Sequence, residues 1–176
     1  MLFIVLFTKV IIVVEEGNMF REMRRRNQAL TQEECLAVLK EEKRGVISVI
    51  GDDGYPYGTP IDHYYDEEDG KIYFHSGKIG HRIDAMRACD KVSYCVYREA
   101  DKDPDFWALN FHCVHVFGRV EFIEDVEKIE DICRKLSYKF TDDEAYIDDE
   151  VRKALKGTLC YAITIENMTG KKINEK

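Results

Sequence analysis

The spacing of hydrophobic and polar positions changes along this chain between the two-residue period of a strand and the 3.6-residue period of a helix. Stretches rich in β-branched and aromatic residues predict strands, and these are residues 45–51, 71–76, 91–97, 106–123 and 158–170. Within the longest stretch Gly118 suggests a bulge or bend, of the kind that barrels use to turn corners. The pattern therefore predicts a sheet built from short hairpins.

Helical spacing is found in three other stretches. Residues 30–45 begin with Thr31 as a helix cap, and Glu34 three residues later completes a capping box. Residues 79–89 and 126–136 carry hydrophobic residues at helical intervals. Because the helices are few and do not alternate regularly with the strands, the pattern favours a mainly β protein of the α+β class, a small antiparallel β-barrel with flanking helices.

The segment 55–66 (YPYGTPIDHYYD) is extended in character but contains two prolines, Pro56 and Pro60. Proline has no N–H to donate to a ladder, so the segment cannot be a regular central strand throughout. We expect it to form the irregular second arm of a hairpin. His63 lies in this arm, where free backbone groups could read the edge of a planar ring; the alternative is a packed histidine among tyrosines.

Composition limits the class of protein. The chain has 176 residues, of which 45% are hydrophobic, which suits one globular domain with a core. A formal net charge of −8 argues against a nucleic-acid partner, because sequence-independent binding needs a basic surface. The six cysteines are scattered singly, as is typical of reduced thiols in the cytoplasm.

The first eighteen residues are hydrophobic but do not make a convincing membrane segment. Lys9 interrupts them, and the run is shorter than the roughly 20 apolar residues that span a bilayer. Codons for Glu15 to Met19 can form a purine-rich ribosome-binding site upstream of an ATG, as in bacterial genes. We therefore expect translation to start at Met19, with 1–18 a non-native or disordered extension and 19–176 a single domain; the alternative is a membrane-surface tail.

Residues 74–82 (FHSGKIGHR) bridge a predicted strand and a predicted helix. At such a junction free backbone N–H groups and the positive end of the helix dipole point to the same place, and glycines let a phosphate come close. The donor side chains of the segment are Ser76, Lys78, His81 and Arg82. The segment is thus a candidate anion site, and the alternative is a solvated basic turn with capping glycines.

A metal site is not expected. His112 and His115 are three residues apart in a predicted strand, so their side chains point to opposite faces and cannot bind one ion together.

The ordered stretches 44–86 and 107–125, and TGK near the end of the chain, resemble the pyridoxamine 5′-phosphate oxidase-like flavoproteins, and among them the nitroimidazole-resistance (Nim-like) proteins. The most specific pieces are GYPYGTP, IYFHSGKIGH and VFGRVEF, in that order. The resemblance implies a split β-barrel, a homodimer and FMN bound at the dimer interface. Two positions depart from the family pattern: His81 stands where a basic residue is frequent, and His112-Cys113 where Arg-Ser is frequent.

The resemblance also implies roles for two groups of residues. The group that matches the family's FMN-phosphate segment is His75, Ser76, Lys78, His81 and Arg82. The group that matches the arm along the isoalloxazine ring is Thr59, Pro60, Ile61, Asp62 and His63, and His63 is the expected ring-proximal proton donor.

The function implied is that of an FMN-dependent oxidoreductase, with a nitroaromatic compound as a possible type of small acceptor and NAD(P)H as a candidate electron donor. Oxidation of pyridoxamine 5′-phosphate itself is disfavoured, because no second basic cluster is available for the substrate phosphate. The other alternative is a non-catalytic carrier of FMN or heme, since the five histidines include potential axial ligands.

Overall fold

The computed structural model describes residues 20–99 and 110–174. The expected start at Met19, the extension at 1–18 and the first part of the strand predicted at 106–123 lie outside the described residues. No helix in the described ranges is both long enough and apolar enough to cross a bilayer.

Seven strands and four α-helices make up the described part of the chain. The strands are β1 (Arg44–Ile50), β2 (Pro56–Asp62), β3 (Tyr64–Tyr65), β4 (Ile72–Gly77), β5 (Lys91–Glu99), β6 (Asn110–Ile123) and β7 (Thr158–Asn174). The helices are α1 (Gln32–Glu41), α2 (His81–Ala88), α3 (Val126–Ser137) and α4 (Glu144–Ala154). Each predicted strand and helix is therefore present where it falls within the described residues, although α1 ends four residues before Gly45.

The strands form one antiparallel sheet in the order β2-β1-β5-β6-β7-β4-β3. β2 and β3 are the two edge strands, yet only His63 separates them along the chain. The sheet must therefore curl until its edges approach each other, which gives a half-barrel. The prediction of a mainly β barrel of the split type with flanking helices is confirmed.

β2 corrects one expectation about the prolines. The segment from Pro56 to Asp62 pairs with β1 in unbroken register, from Ile50 opposite Pro56 to Arg44 opposite Asp62. The prediction of an irregular arm was wrong for these residues. An edge strand needs ladder hydrogen bonds on one side only, so it tolerates prolines that a central strand would not.

Aromatic rings fill the interior of the curled sheet. Phe74 stacks on Tyr161 with ring centroids 5.2 Å apart and meets Tyr94 edge-on at 5.1 Å. All three side chains are buried. α1 packs against β3, β5, β6 and β7, and it begins at Thr31 with both bonds of the predicted capping box. The core thus lies between the concave face of the sheet and the helices.

The predicted bulge occurs at Gly118. The β6–β7 register shifts between Phe117 and Gly118, and a Cβ at Gly118 would lie 2.3 Å from the Thr164 carbonyl oxygen. Only a residue without a side chain permits so close an approach of two strands.

Candidate functional site

The segment that joins β4 to α2 forms an open corner beside the sheet. Gly80 precedes the helix with φ of +137°, and no side chain caps the first turn. A Cβ at Gly77 or Gly80 would meet nothing within 4 Å, so both glycines border free space. The uncapped amides and the positive end of the helix dipole make this corner a place for an anion, as predicted from the sequence.

Arg82 and Thr59 are brought together at this corner. The Arg82 Nη1 group donates a hydrogen bond to the Thr59 hydroxyl oxygen at 3.0 Å, which links α2 to β2. The Arg82 Nε group is buried and has no hydrogen-bond partner among the described residues. A buried guanidinium with a free N–H is costly unless an acceptor is supplied, and a phosphate oxygen is a suitable acceptor.

His81 lies against the turn of the β1–β2 hairpin. Its ring stacks on Tyr57 with centroids 4.3 Å apart, and its Nε2 atom accepts a hydrogen bond from the Asp52 amide at 3.3 Å. The Asp52 carboxylate is 3.6 Å from the same nitrogen. His81 therefore connects α2 to the hairpin turn, and its Nε2 atom is already occupied.

The other residues of the predicted phosphate segment point elsewhere. Lys78 donates to the Lys156 carbonyl oxygen at 2.6 Å, and the Ser76 hydroxyl donates to the Gly77 carbonyl oxygen at 3.0 Å. His75 lines a cavity of about 240 Å³ that α3 and α4 border. The surrounding protein lowers the pKa of His75 by desolvation. Of the predicted set, only Arg82 and Thr59 are in direct contact.

His63 is fully buried between the two sheet edges, and its hydrogen bonds define its tautomer. Its Nε2 atom is 2.7 Å from the Leu39 carbonyl oxygen, which can only accept, so Nε2 carries the proton. Its Nδ1 atom then accepts from the Tyr94 hydroxyl at 2.8 Å. The backbone N–H of His63 donates to the Lys43 carbonyl oxygen at 3.1 Å. Burial, reinforced by Lys139, lowers the pKa of His63 to about 4.

This environment favours the packed-histidine alternative for His63. Both ring nitrogens are bonded to protein groups and the side chain has no exposed surface. The expected role as a ring-proximal proton donor receives no support from the geometry, since a proton donor must reach the reacting group.

The rest of the arm alternates between the core and the outside. Ile61 is buried, whereas Pro60 is exposed. The Asp62 carboxylate accepts two hydrogen bonds from Arg44, at 2.6 and 3.1 Å. On the described face of the arm, Thr59 is thus the residue that approaches α2.

Tyr161 is a polar group near the site that sequence reasoning did not single out. Its side chain is fully buried, and its hydroxyl has no hydrogen-bond partner within residues 20–99 and 110–174. Desolvation raises its pKa to about 12, although Arg82 is close enough to oppose that rise. A tyrosine on the core side of a predicted strand was the available signal, because a buried hydroxyl usually finds a partner.

The convex face of the sheet carries exposed apolar side chains. Val46 on β1 lies opposite Cys95 on β5, and Cys95 lies opposite His115 on β6, so the three share one face. Two residues further along their strands, Tyr97 and Phe117 are exposed on the same face. No group of three or more His, Cys, Asp or Glu side chains suited to a metal ion is found in the described ranges.

A family model described as "Pyridoxamine 5'-phosphate oxidase" matches residues 31–172 of the chain. No curated protein matches the sequence at a significant level.

Several solved structures share the fold. A candidate 5-nitroimidazole antibiotic resistance protein of Bacteroides thetaiotaomicron aligns with a TM-score of 0.70 and 20% identity over 82% of this chain and 86% of its own. A protein of Mesorhizobium loti described as FAD-binding gives 0.61 and 23% over 84% and 98%. The flavocytochrome Anf3 of Azotobacter vinelandii gives 0.70 and 20% over 88% and 73%. At these identities the likeness is one of fold.

Proposed function

The chain belongs to the pyridoxamine 5′-phosphate oxidase family, and on that premise we propose that it is an FMN-dependent oxidoreductase that acts on a small acceptor. The observation that carries the proposal is the buried Arg82 Nε group without a partner among the described residues, held by Thr59 at the uncapped start of α2. These groups fit the phosphate of FMN. Structural neighbours described as flavin proteins support a flavin of some kind.

In this proposal each residue of the corner has a separate task. Arg82 and the first amides of α2 bind the phosphate, and Thr59 orients the guanidinium. The stacked rings of Tyr57 and His81 hold the hairpin turn against α2. When bound, the flavin supplies the transfer of a hydride or of electrons. His63 holds the two sheet edges in place and acts as a positioning residue.

A homodimer is part of the same proposal. Val46, Tyr97 and Phe117 leave an apolar surface on the convex face of β1, β5 and β6, and burial of such a surface against a second copy is favourable. We propose NAD(P)H as the electron donor and a nitroaromatic compound as the first acceptor to test. The resemblance to the Nim-like proteins and one structural neighbour support that choice of acceptor.

The first experiment is an absorption spectrum of the purified protein, followed by heat release and chromatography of any chromophore. If the protein is colourless, it is titrated with FMN and with riboflavin, which lacks the phosphate. We expect FMN to bind at least tenfold more tightly, because a charged hydrogen bond contributes about 1.5–3 kcal/mol. Equal affinities would remove the phosphate site. A Soret band would favour the heme carrier, and flavin binding without NAD(P)H oxidation would favour the flavin carrier.

The residue-level test is Arg82→Ala. Loss of the guanidinium should weaken FMN binding by about 10- to 100-fold and leave riboflavin binding unchanged, since the lost contact is to the phosphate. Lys78→Ala should have a smaller effect, because Lys78 donates to the Lys156 carbonyl oxygen instead. Arg152→Ala is the matched control, since Arg152 pairs with Asp149 on the exposed side of α4. Equal FMN affinities of Arg82→Ala and the control would refute the assignment.

A further inference from the structure

Two cysteines that are distant in sequence meet beside the cavity that His75 lines. Cys133 on α3 and Cys160 on β7 have their Sγ atoms 4.0 Å apart. Cys160 is fully buried, whereas Cys133 is half-buried and lines the cavity of about 240 Å³. A small solute in that cavity would therefore reach Cys133 first, with Cys160 directly behind it.

His75 completes the group. It lies directly opposite Cys160 in the β4–β7 register, so the two side chains share one face of the sheet and their Cβ atoms are about 5 Å apart. The imidazole lines the same cavity as Cys133. Desolvation lowers the pKa of His75, which keeps the ring neutral and able to accept a proton at neutral pH. The hydrogen bond between the thiols lowers the pKa of Cys133, and the same contact raises that of Cys160.

We propose that Cys133 and Cys160 form a peroxide-reactive dithiol, in which Cys133 is oxidised first and Cys160 closes a disulfide. The Cys133 thiolate attacks one oxygen of hydrogen peroxide, the O–O bond breaks, and the second oxygen leaves as hydroxide, which takes up the thiol proton as water. The Cys160 sulfur then attacks the sulfenic sulfur of Cys133, the S–O bond breaks, and a second water leaves. Two thiols are oxidised to one disulfide, and one peroxide is reduced to two waters.

The geometry requires only a small movement. A disulfide has an S–S distance of about 2.05 Å, so the sulfur atoms must approach by about 2 Å from their separation of 4.0 Å. The bond would tie α3 to β7 next to His75, in the wall beside the corner at Arg82. The proposal does not depend on the proposed flavin chemistry, because peroxide itself supplies the oxidising equivalents.

The test is a thiol map of the full-length protein. Reduced, desalted protein is treated with hydrogen peroxide, the remaining thiols are alkylated in denaturant, and peptides are analysed without reductant. We expect two of the six cysteines to escape alkylation and a peptide pair linked through Cys133 and Cys160, which dithiothreitol reverses. Cys133 should react at least tenfold faster than Cys89, which is half-buried at the end of α2.

Variants identify the order of events. Cys133→Ser should leave Cys160 reduced, and Cys160→Ser should leave a sulfenic acid at Cys133 that dimedone traps. Because Cys160 is in the core, the dithiol must also be tested in wild-type protein, where the linked peptide pair alone supports it. Oxidation of Cys133 no faster than that of Cys89, or a disulfide with any other partner, would overturn the proposal. Cys89→Ser is the control and should retain the Cys133–Cys160 link.

Discussion

The buried His63 should make the stability of the protein depend on pH, and the variant His63→Gln should remove most of that dependence. In the unfolded chain a histidine has a pKa near 6.5, whereas burial lowers the pKa of His63 to about 4 in the fold. Between these values the unfolded state binds more protons, so the free energy of unfolding falls as pH falls. The stabilisation is present above pH 6.5 and is lost as the pH decreases towards 4.

The size of the effect follows from the two pKa values. Their difference corresponds to a loss of about 3 kcal/mol across the whole range, and to about 2 kcal/mol between pH 7 and pH 5. This is a large part of the 5–15 kcal/mol by which a domain is commonly stable. Glutamine can donate to the Leu39 carbonyl oxygen, and it does not titrate.

The measurement is urea unfolding followed by circular dichroism at pH 7 and pH 5, at one protein concentration. His115→Gln is the matched control, because His115 is exposed on the convex face. We expect the wild type and the control to lose about 2 kcal/mol more than His63→Gln between the two pH values. The same pH dependence in all three proteins would refute the neutral, buried His63. Slower turnover of His63→Gln with unchanged stability would restore its role as a proton donor.

Two further predictions concern the sheet. Gly118→Ala should lower the free energy of unfolding by about 1–3 kcal/mol, because the new Cβ would lie 2.3 Å from the Thr164 carbonyl oxygen; thermal unfolding measures this, and an unchanged melting temperature would contradict it. Tyr97→Glu should convert the proposed homodimer to a monomer, because it places a charge in the apolar convex face; light scattering after gel filtration measures the mass, and a wild-type monomer or a dimeric variant would count against that interface.

Local signals in the sequence predicted the elements well, for reasons visible in the structure. The capping box at Thr31 and Glu34 depends on residues three apart, and both of its bonds form. The bulge at Gly118 follows from one glycine inside a long strand. Pro56 and Pro60 were misleading because a proline excludes a central strand but allows an edge strand, and only the sheet order distinguishes the two.

The candidate site was predicted less completely, because contacts across the sheet depend on register. Residues 75–82 contain the cations, yet Lys78 points to Lys156 while Arg82 reaches Thr59 on another strand. His63 looked accessible because no sequence pattern shows that the two sheet edges meet around it. The contact between Cys133 and Cys160 likewise depends on how α3 lies over β7.

The position of β7 in the sheet has a consequence for folding. β4 pairs with β3 on one side and with β7 on the other, and the partner of Ile72 is Ile163. Pairing at such a sequence separation is slow, because a long loop must close before any contact forms. During synthesis the β1–β2 hairpin can form early, but β4 and the start of α2 have no sheet to join until β7 emerges from the ribosome. We therefore expect nascent chains truncated before β7 to be unable to acquire a ligand at the Arg82 corner.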